Sequence, residues 1–183
     1  MTTALWLLAI QGVIGAFDTF YYHEWRARLP ARPEVTGIEL RLHAARDFLY
    51  AAIFGTLPWL AWEGVWAAAL VAILVAEIAL TMADFVIEVD VRRSLGDVYA
   101  GERVTHAVMG ILYGAALAML VPTLAVWWPQ PTALRLAPPG VPEPLRWLLV
   151  VMAVGVFLSG VRDLYAAGRL PPGAWPWATG RWA

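Results

Sequence analysis

The sequence predicts an all-α, polytopic membrane protein with five transmembrane helices: a four-helix bundle made from two repeated helical hairpins, plus one extra helix. Three observations lead there. The 183 residues are 61% apolar and only 15% charged, whereas soluble domains run at roughly 45–50% apolar and 25% charged. Five stretches are long and apolar enough to cross a hydrocarbon core, which takes about 20 residues. The polar residues inside those stretches occur twice, in the same order. Absence of Cys removes thiolate metal sites, iron–sulfur clusters and catalytic thiols. All 13 basic residues are Arg and the net charge is −1, so the expected partner is the lipid bilayer and not nucleic acid.

The expected spans are about 4–22, 38–62, 66–88, 104–127 and 146–166, in one transmembrane domain covering 1–183. The first carries Gln11 and Asp18, lacks a basic n-region, and reads as a true span rather than a signal peptide. Five spans put Arg26, Arg28, Arg32, Arg92, Arg93, Arg103, Arg169 and Arg181 on one side, against Arg135 and Arg146 in the Pro-rich connection 128–145 on the other. The positive-inside rule then predicts a bacterial inner-membrane protein with its N-terminus outside and its C-terminus in the cytoplasm. Trp25, Trp59, Trp62, Trp127, Trp128, Trp147 and the Trp-Pro-Trp run at 175–177 fall near span ends and read as interfacial belt residues.

The duplication joins repeat 1, about 4–63, to repeat 2, about 66–128. Residues 39–52 and 102–115 align without a gap as E-x3-H-A-x4-L-Y-x-A, six identities in fourteen positions, including Glu39/Glu102 and His43/His106. Asp18, Glu24, Arg26 and Leu29 align more weakly with Asp84, Asp90, Arg92 and Leu95. The offset is 66 residues for this pair and 63 for the other, so the two halves read as parallel repeats.

At a helical rise of about 1.5 Å per residue, Asp18, His43, Asp84 and His106 share one layer near the cytoplasmic end. Glu24, Glu39, Glu88 and Glu102 fall below it, and Asp47 and Glu77 lie deeper in the membrane. Glu39, His43, Asp47 and Tyr50 fall on one helical face, as do Glu102, His106 and Tyr113. Glu77, Asp84 and Glu88 are spaced like Gln11, Asp18 and Tyr22. A charge left facing mid-membrane lipid costs roughly 2.5–3.5 kcal/mol on insertion scales, so these stripes are expected to turn inward. So many acids need a cationic counterpart: Arg41, Arg46, Arg92 and Arg93, a bound metal, or protonation.

The sharpest reading is a carboxylate/His di-metal centre near the cytoplasmic face. Its expected ligands are Asp18, Glu39, His43, Asp84, Glu102 and His106, with His23, Glu24 and Glu88 in reserve. Oxygen and nitrogen donors without sulfur suit iron first, and manganese or zinc. Tyr50 and Tyr113 are the candidate catalytic groups, as hydrogen bonders to ligands or redox-active side chains. If the protein is an enzyme, a di-iron oxidase or hydroxylase of a lipid-soluble substrate fits such a site; hydrolysis of a lipid headgroup would use the same ligands.

The site pattern, within about 18–106, is similar to that of four-helix di-metal carboxylate proteins. Those use Glu-x-x-His, whereas this chain has Glu39-x3-His43 and Glu102-x3-His106. The chain also resembles an uncharacterised family of bacterial integral membrane proteins. The likeness lies in an FDTxYYHEW stretch, Phe17 to Trp25, and an HAVMGIxYG stretch, His106 to Gly114, and spans most of 11–130.

Other readings stay open. His43 and His106 are spaced to be the axial pair of a b-type haem. The acids and His residues equally suit a proton- or cation-translocating subunit, or a non-catalytic network that holds the hairpins together. A homo-oligomer or a larger membrane complex is compatible with each. Gly12, Gly15, Gly110 and Gly114 are expected to permit close helix packing. Pro58 and Pro122 are expected to kink or end their helices, and Arg162 and Asp163 to close the bundle or meet a partner.

Overall fold

The computed structural model describes residues 1–136, 140–171 and 173–177, so Arg181 lies outside the described residues. The chain is mostly helical. Helix α1, Thr2–Asp18, continues as a π-helix over Thr19–Ala27, and a 3-10 turn, Leu29–Ala31, leads into α2, Pro33–Thr56. Strand β1, Leu60–Glu63, precedes α3, Val65–Arg93. Then come α4, Ala100–Trp127, strand β2, Ala133–Leu136, and α5, Glu143–Ala167.

The chain is inside-out relative to a soluble domain. Asp18, Glu39, Glu77, Asp84, Arg92 and Glu102 are all buried, while Val86, Ile111 and Phe20 are more than 70% exposed. Large apolar side chains on the outward faces of the helices are what a hydrocarbon surrounding calls for. Four helical segments, Thr2–Ala31, Val65–Arg93, Ala100–Trp127 and Glu143–Ala167, are long and apolar enough to cross a membrane. Helix α2 is long enough too, 24 residues or about 36 Å, but Glu34, Glu39, Arg41, Arg46 and Asp47 keep it out of that set. Much of it is enclosed: from residue 42 to residue 58 no side chain is exposed.

Close packing runs between the repeats. Helix α2 lies along α3 and α5, α1 lies along α4, and α5 also touches α1. The α2–α5 approach depends on small residues. A Cβ added at Gly160 would stand 3.0 Å from Asp47 Cβ and 3.2 Å from Ala44 O, and one at Gly55 would touch Ala153. Gly12 meets Met152 and Phe54, but Gly110 and Gly114 face open space. The expectation that these last two mediate packing is therefore corrected.

Local chemistry sets the element ends. Pro33 opens α2, where a missing N–H costs nothing, and Thr36 Oγ1 donates to Leu29 O at 2.8 Å and ties the 3-10 turn to the helix. Helix α2 stops at Thr56, short of the expected 62, because Pro58 cannot continue it. Pro122 remains inside α4. The chain then forms a feature the helical reading missed, an antiparallel β1–β2 pair with Leu60 opposite Leu136 and Glu63 opposite Ala133. It pins the α2–α3 connection to the α4–α5 connection. Gly64 is required beside it: φ is +62°, and a Cβ would meet Thr132 Cα at 2.7 Å. Between α3 and α4, Asp97 accepts from the Val98 N–H and from Arg103. The Val98 N–H holds its carboxyl below the usual carboxylate range against an opposing desolvation, with the Arg103 guanidinium adding to the lowering.

Gly160→Val wedges a branched side chain into the α2–α5 contact and should destabilise the chain by about 1–3 kcal/mol. Gly155→Ala, on the same helix with nothing within 4 Å of the added carbon, should be neutral or stabilising by up to about 1 kcal/mol. Melting temperatures of the two variants in one detergent check this. Equal losses would mean that α2 and α5 are not closely packed at Gly160.

Candidate metal centre

The π-helical segment decides where the site forms. In an α-helix, residues five apart point about 140° away from each other. A π-helix closes i→i+5 hydrogen bonds and stacks such residues over one another. Asp18 begins this segment and His23 lies within it, and His23 Nε2 comes to 3.2 Å from Asp18 Oδ2. The segment ends at Arg28, which takes a left-handed conformation at φ 52°.

From α4, His106 Nε2 reaches the same Asp18 oxygen at 3.1 Å. One ligand atom from each of Asp18, His23 and His106 falls within 4.8 Å of the others, the span that donors around a single metal ion occupy. Phe85 stacks on the His106 ring with centroids 5.2 Å apart and fixes its plane. Glu88 Oε1, also buried, lies 3.9 Å from the other nitrogen of His106.

The other half repeats the pairing with the repeats exchanged. Asp18 of repeat 1 takes His106 of repeat 2, and Asp84 of repeat 2 takes His43 of repeat 1, at 3.3 Å. His43 Nδ1 faces Asp163 of α5 at 3.9 Å, as His106 Nδ1 faces Glu88. The halves differ at the aspartate, where Asp84 Oδ2 accepts from Arg46 Nη1 at 2.8 Å. The position that matches His23 in repeat 2 is Val89, which brings no donor.

Arg92 holds the layer below. Its fully buried guanidinium donates to Glu39 at 2.7–2.8 Å and to Glu102 at 3.1 Å. His23 Nε2 is also 3.2 Å from Glu102 Oε1, so the arginine layer and the histidine layer are continuous. Among the expected counter-cations only Arg46 and Arg92 enter this network. Arg93 pairs with Asp90 at the surface, and Arg41 is exposed.

The remaining expected site residues lie around this centre. Glu24 is held by Arg162 and by Trp177 Nε1, so it serves the α1–α5 junction. Glu77 and the two tyrosines sit deeper: Tyr50 OH donates to Glu77 Oε1 at 2.7 Å, and Tyr113 is edge-on to Tyr50 with centroids 6.0 Å apart. The His23 ring stacks on His43 at 4.7 Å and stands edge-on to His106 at 6.3 Å. A third imidazole therefore borders both members of the expected haem pair.

Glu39, His43, Asp84 and Glu102 thus face arginine or other acids more closely than they face Asp18 and His106. The compact group is Asp18, His23 and His106, with His23 promoted from reserve. A 3.6-residue period cannot place His23 beside Asp18. The available signal was the aromatic run Phe20-Tyr21-Tyr22 before His23, bulky residues that lose side-chain freedom in an α-helix.

Removing the Arg92 charge leaves two buried carboxylates facing each other, and losing one partner of a buried pair typically costs 3–5 kcal/mol. Arg92→Met should therefore abolish or severely lower thermal stability in detergent. Combining it with Glu39→Gln and Glu102→Gln should recover most of the loss. If the single variant melts like the parent, Arg92 does not hold the two halves together.

No family model, no curated protein and no solved structure matches the chain.

Proposed function

We propose that the chain is an integral membrane metal-binding protein whose ion is held by Asp18, His23 and His106. The observation that carries this reading is the convergence of three nitrogen and oxygen donors, from the π-helix and from α4, within 4.8 Å. Such a donor set suits iron, manganese or zinc. Duplication alone suggests two ions, but a second would have to displace Arg46 from Asp84 and Arg92 from Glu39 and Glu102. We therefore favour one ion in this pairing over the di-metal centre. Glu88 behind His106 would orient that imidazole, as carboxylates commonly do behind metal-bound histidines.

In this reading all five helices span the bilayer, with α2 enclosed by its neighbours. The metal layer lies toward the arginine-rich cytoplasmic face of a bacterial inner membrane, with the N-terminus outside. The activity we attach to it is oxidation or hydroxylation of a lipid-soluble substrate. It is supported by a cavity of about 240 Å³ whose wall includes Asp18, His23 and His106. A bound metal would supply redox or Lewis-acid chemistry at that wall, while the protein positions the two imidazoles and the carboxylate.

A second reading, proton or cation translocation, is favoured by one observation. From Asp84 the polar chain continues through Arg46, Glu77 and Tyr50 to Gln11, with contacts of 2.7–3.8 Å.

Metal analysis of the purified chain after zinc or iron loading separates the two. The metal reading expects about one ion per chain. Asp18→Asn, His23→Ala and His106→Ala should each weaken binding at least tenfold, and His43→Ala by much less. No retained metal, or equal losses at His43 and His23, would overturn it in favour of the polar relay.

A further inference from the structure

We propose that the cavity between α1 and α5 binds a lipid-soluble molecule with a hydroxyl head, which donates its proton to Gln11 Oε1. Its hydrocarbon body would lie outward toward the bilayer. The inference names the substrate class for the oxidative reading and rests on that reading only for turnover, not for binding.

The space is large, about 240 Å³, an order of magnitude above what one water needs. Its wall is predominantly apolar, and Gly12, Ala16 and Phe20 of the first segment face Met152, Gly155 and Val156 of α5. Ala16, Phe20 and Gly155 are exposed, Phe20 to 71%, so these three form the mouth. Gly155 is the central residue of α5. The mouth therefore opens sideways at the depth where a spanning helix meets hydrocarbon, rather than at a helix end facing water.

The polar chemistry of the wall selects the head group. Tyr50 has one hydroxyl proton, and Glu77 Oε1 accepts it at 2.7 Å. Tyr50 must then accept from Gln11, whose Nε2 lies 2.9 Å away. That fixes the amide orientation and leaves Oε1 as the free atom. Gln11 is 6% exposed, lines the cavity, and its Oε1 has no donor among the described residues. A buried acceptor of this kind favours a ligand that brings a hydrogen-bond donor. Ethers, ketones and esters bring none. The wall holds Asp18, Glu24, Asp47 and Asp163 beside Arg46, so a head group of either charge meets a like charge there. A neutral hydroxyl supplies the donor that Gln11 Oε1 lacks without adding a charge.

The test uses the full-length chain in nanodiscs with radiolabelled 1-decanol, and 1-methoxydecane as the matched ether without a donor. Uptake is corrected for empty nanodiscs. Saturable decanol binding should be about threefold to tenfold tighter than ether binding, the worth of one net hydrogen bond. Gln11→Leu should bring the two probes to the same affinity. Gly155→Phe, or Gly155→Leu should the larger side chain impair folding, should abolish saturable uptake of both by filling the mouth. Equal affinity of alcohol and ether for the parent, or decanol binding unchanged by the Gly155 variants, overturns the proposal. Zinc binding is titrated separately on the same variants. A parent that binds decanol but no zinc keeps this proposal and sinks the metal reading; one that binds zinc but shows no preference for the alcohol does the reverse.

Discussion

A fully buried arginine between two buried glutamates organises this molecule. Arg92 comes from the end of α3, Glu39 from α2 and Glu102 from the start of α4, so one guanidinium joins both repeats. Burying three charges is costly, and their mutual attraction offsets that only when hydrogen bonds are nearly complete. Here Nε and Nη2 of one planar, permanently charged fork reach both carboxylates, while the buried Nη1 has no partner among the described residues. The arrangement also fixes register: sliding α3 by one residue would swing Arg92 out of the gap and leave two acids unpaired. The histidine layer rests on this one, because His23 Nε2 lies 3.2 Å from both Glu102 and Asp18.

The repeat is symmetric where it needs to be and broken where it is specialised. Asp18–His106 and Asp84–His43 are equivalent pairs across the two halves. Arg92 has Arg26 as its repeat mate, but Arg26 lies over the Tyr99 ring at 4.6 Å and never enters the core. One cation therefore serves two glutamates that symmetry would have given two. Arg46 similarly neutralises Asp84, while its counterpart Met109 leaves Asp18 without an arginine. The half that lacks the cation is the half with two histidines converging on its aspartate. That asymmetry, more than the number of acids, sets Asp18 apart from Asp84.

Hydropathy and spacing made the helical class, the duplication and the depth of the polar layer readable from the residues. Identical side chains at helical intervals, such as Glu39/His43 and Glu102/His106, report directly which face points inward. Three things escaped. The β1–β2 pair is four residues a side with only Glu63–Arg135 and a tight Gly64 to mark it, too short for any periodicity to register. The seat of α5 along α2 also escaped, because the fifth helix has no repeat mate whose position could place it. The third is the π-helix, which changes the angular period within Phe17–Trp25 and so changes which residues are neighbours.

The π-helix also links the Asp18–His23–His106 group to the cavity. Residues Thr19, Phe20 and His23 of this one segment line the space next to Asp18. A regular α-helix through the same residues would turn His23 away from Asp18 and carry Phe20 to a different position at the rim. The segment therefore does two things with one irregularity: it brings a second imidazole to Asp18, and it shapes the opening toward α5. At the far end Glu24 is clamped by Arg162 of α5 and by Trp177, so the widened turn is anchored to the helix it faces. A wider helical turn gives up good hydrogen-bond geometry, and short π segments persist mainly at functional sites. Here the segment lies where the donors, the cavity mouth and the α1–α5 junction meet, which is where such a distortion has most effect.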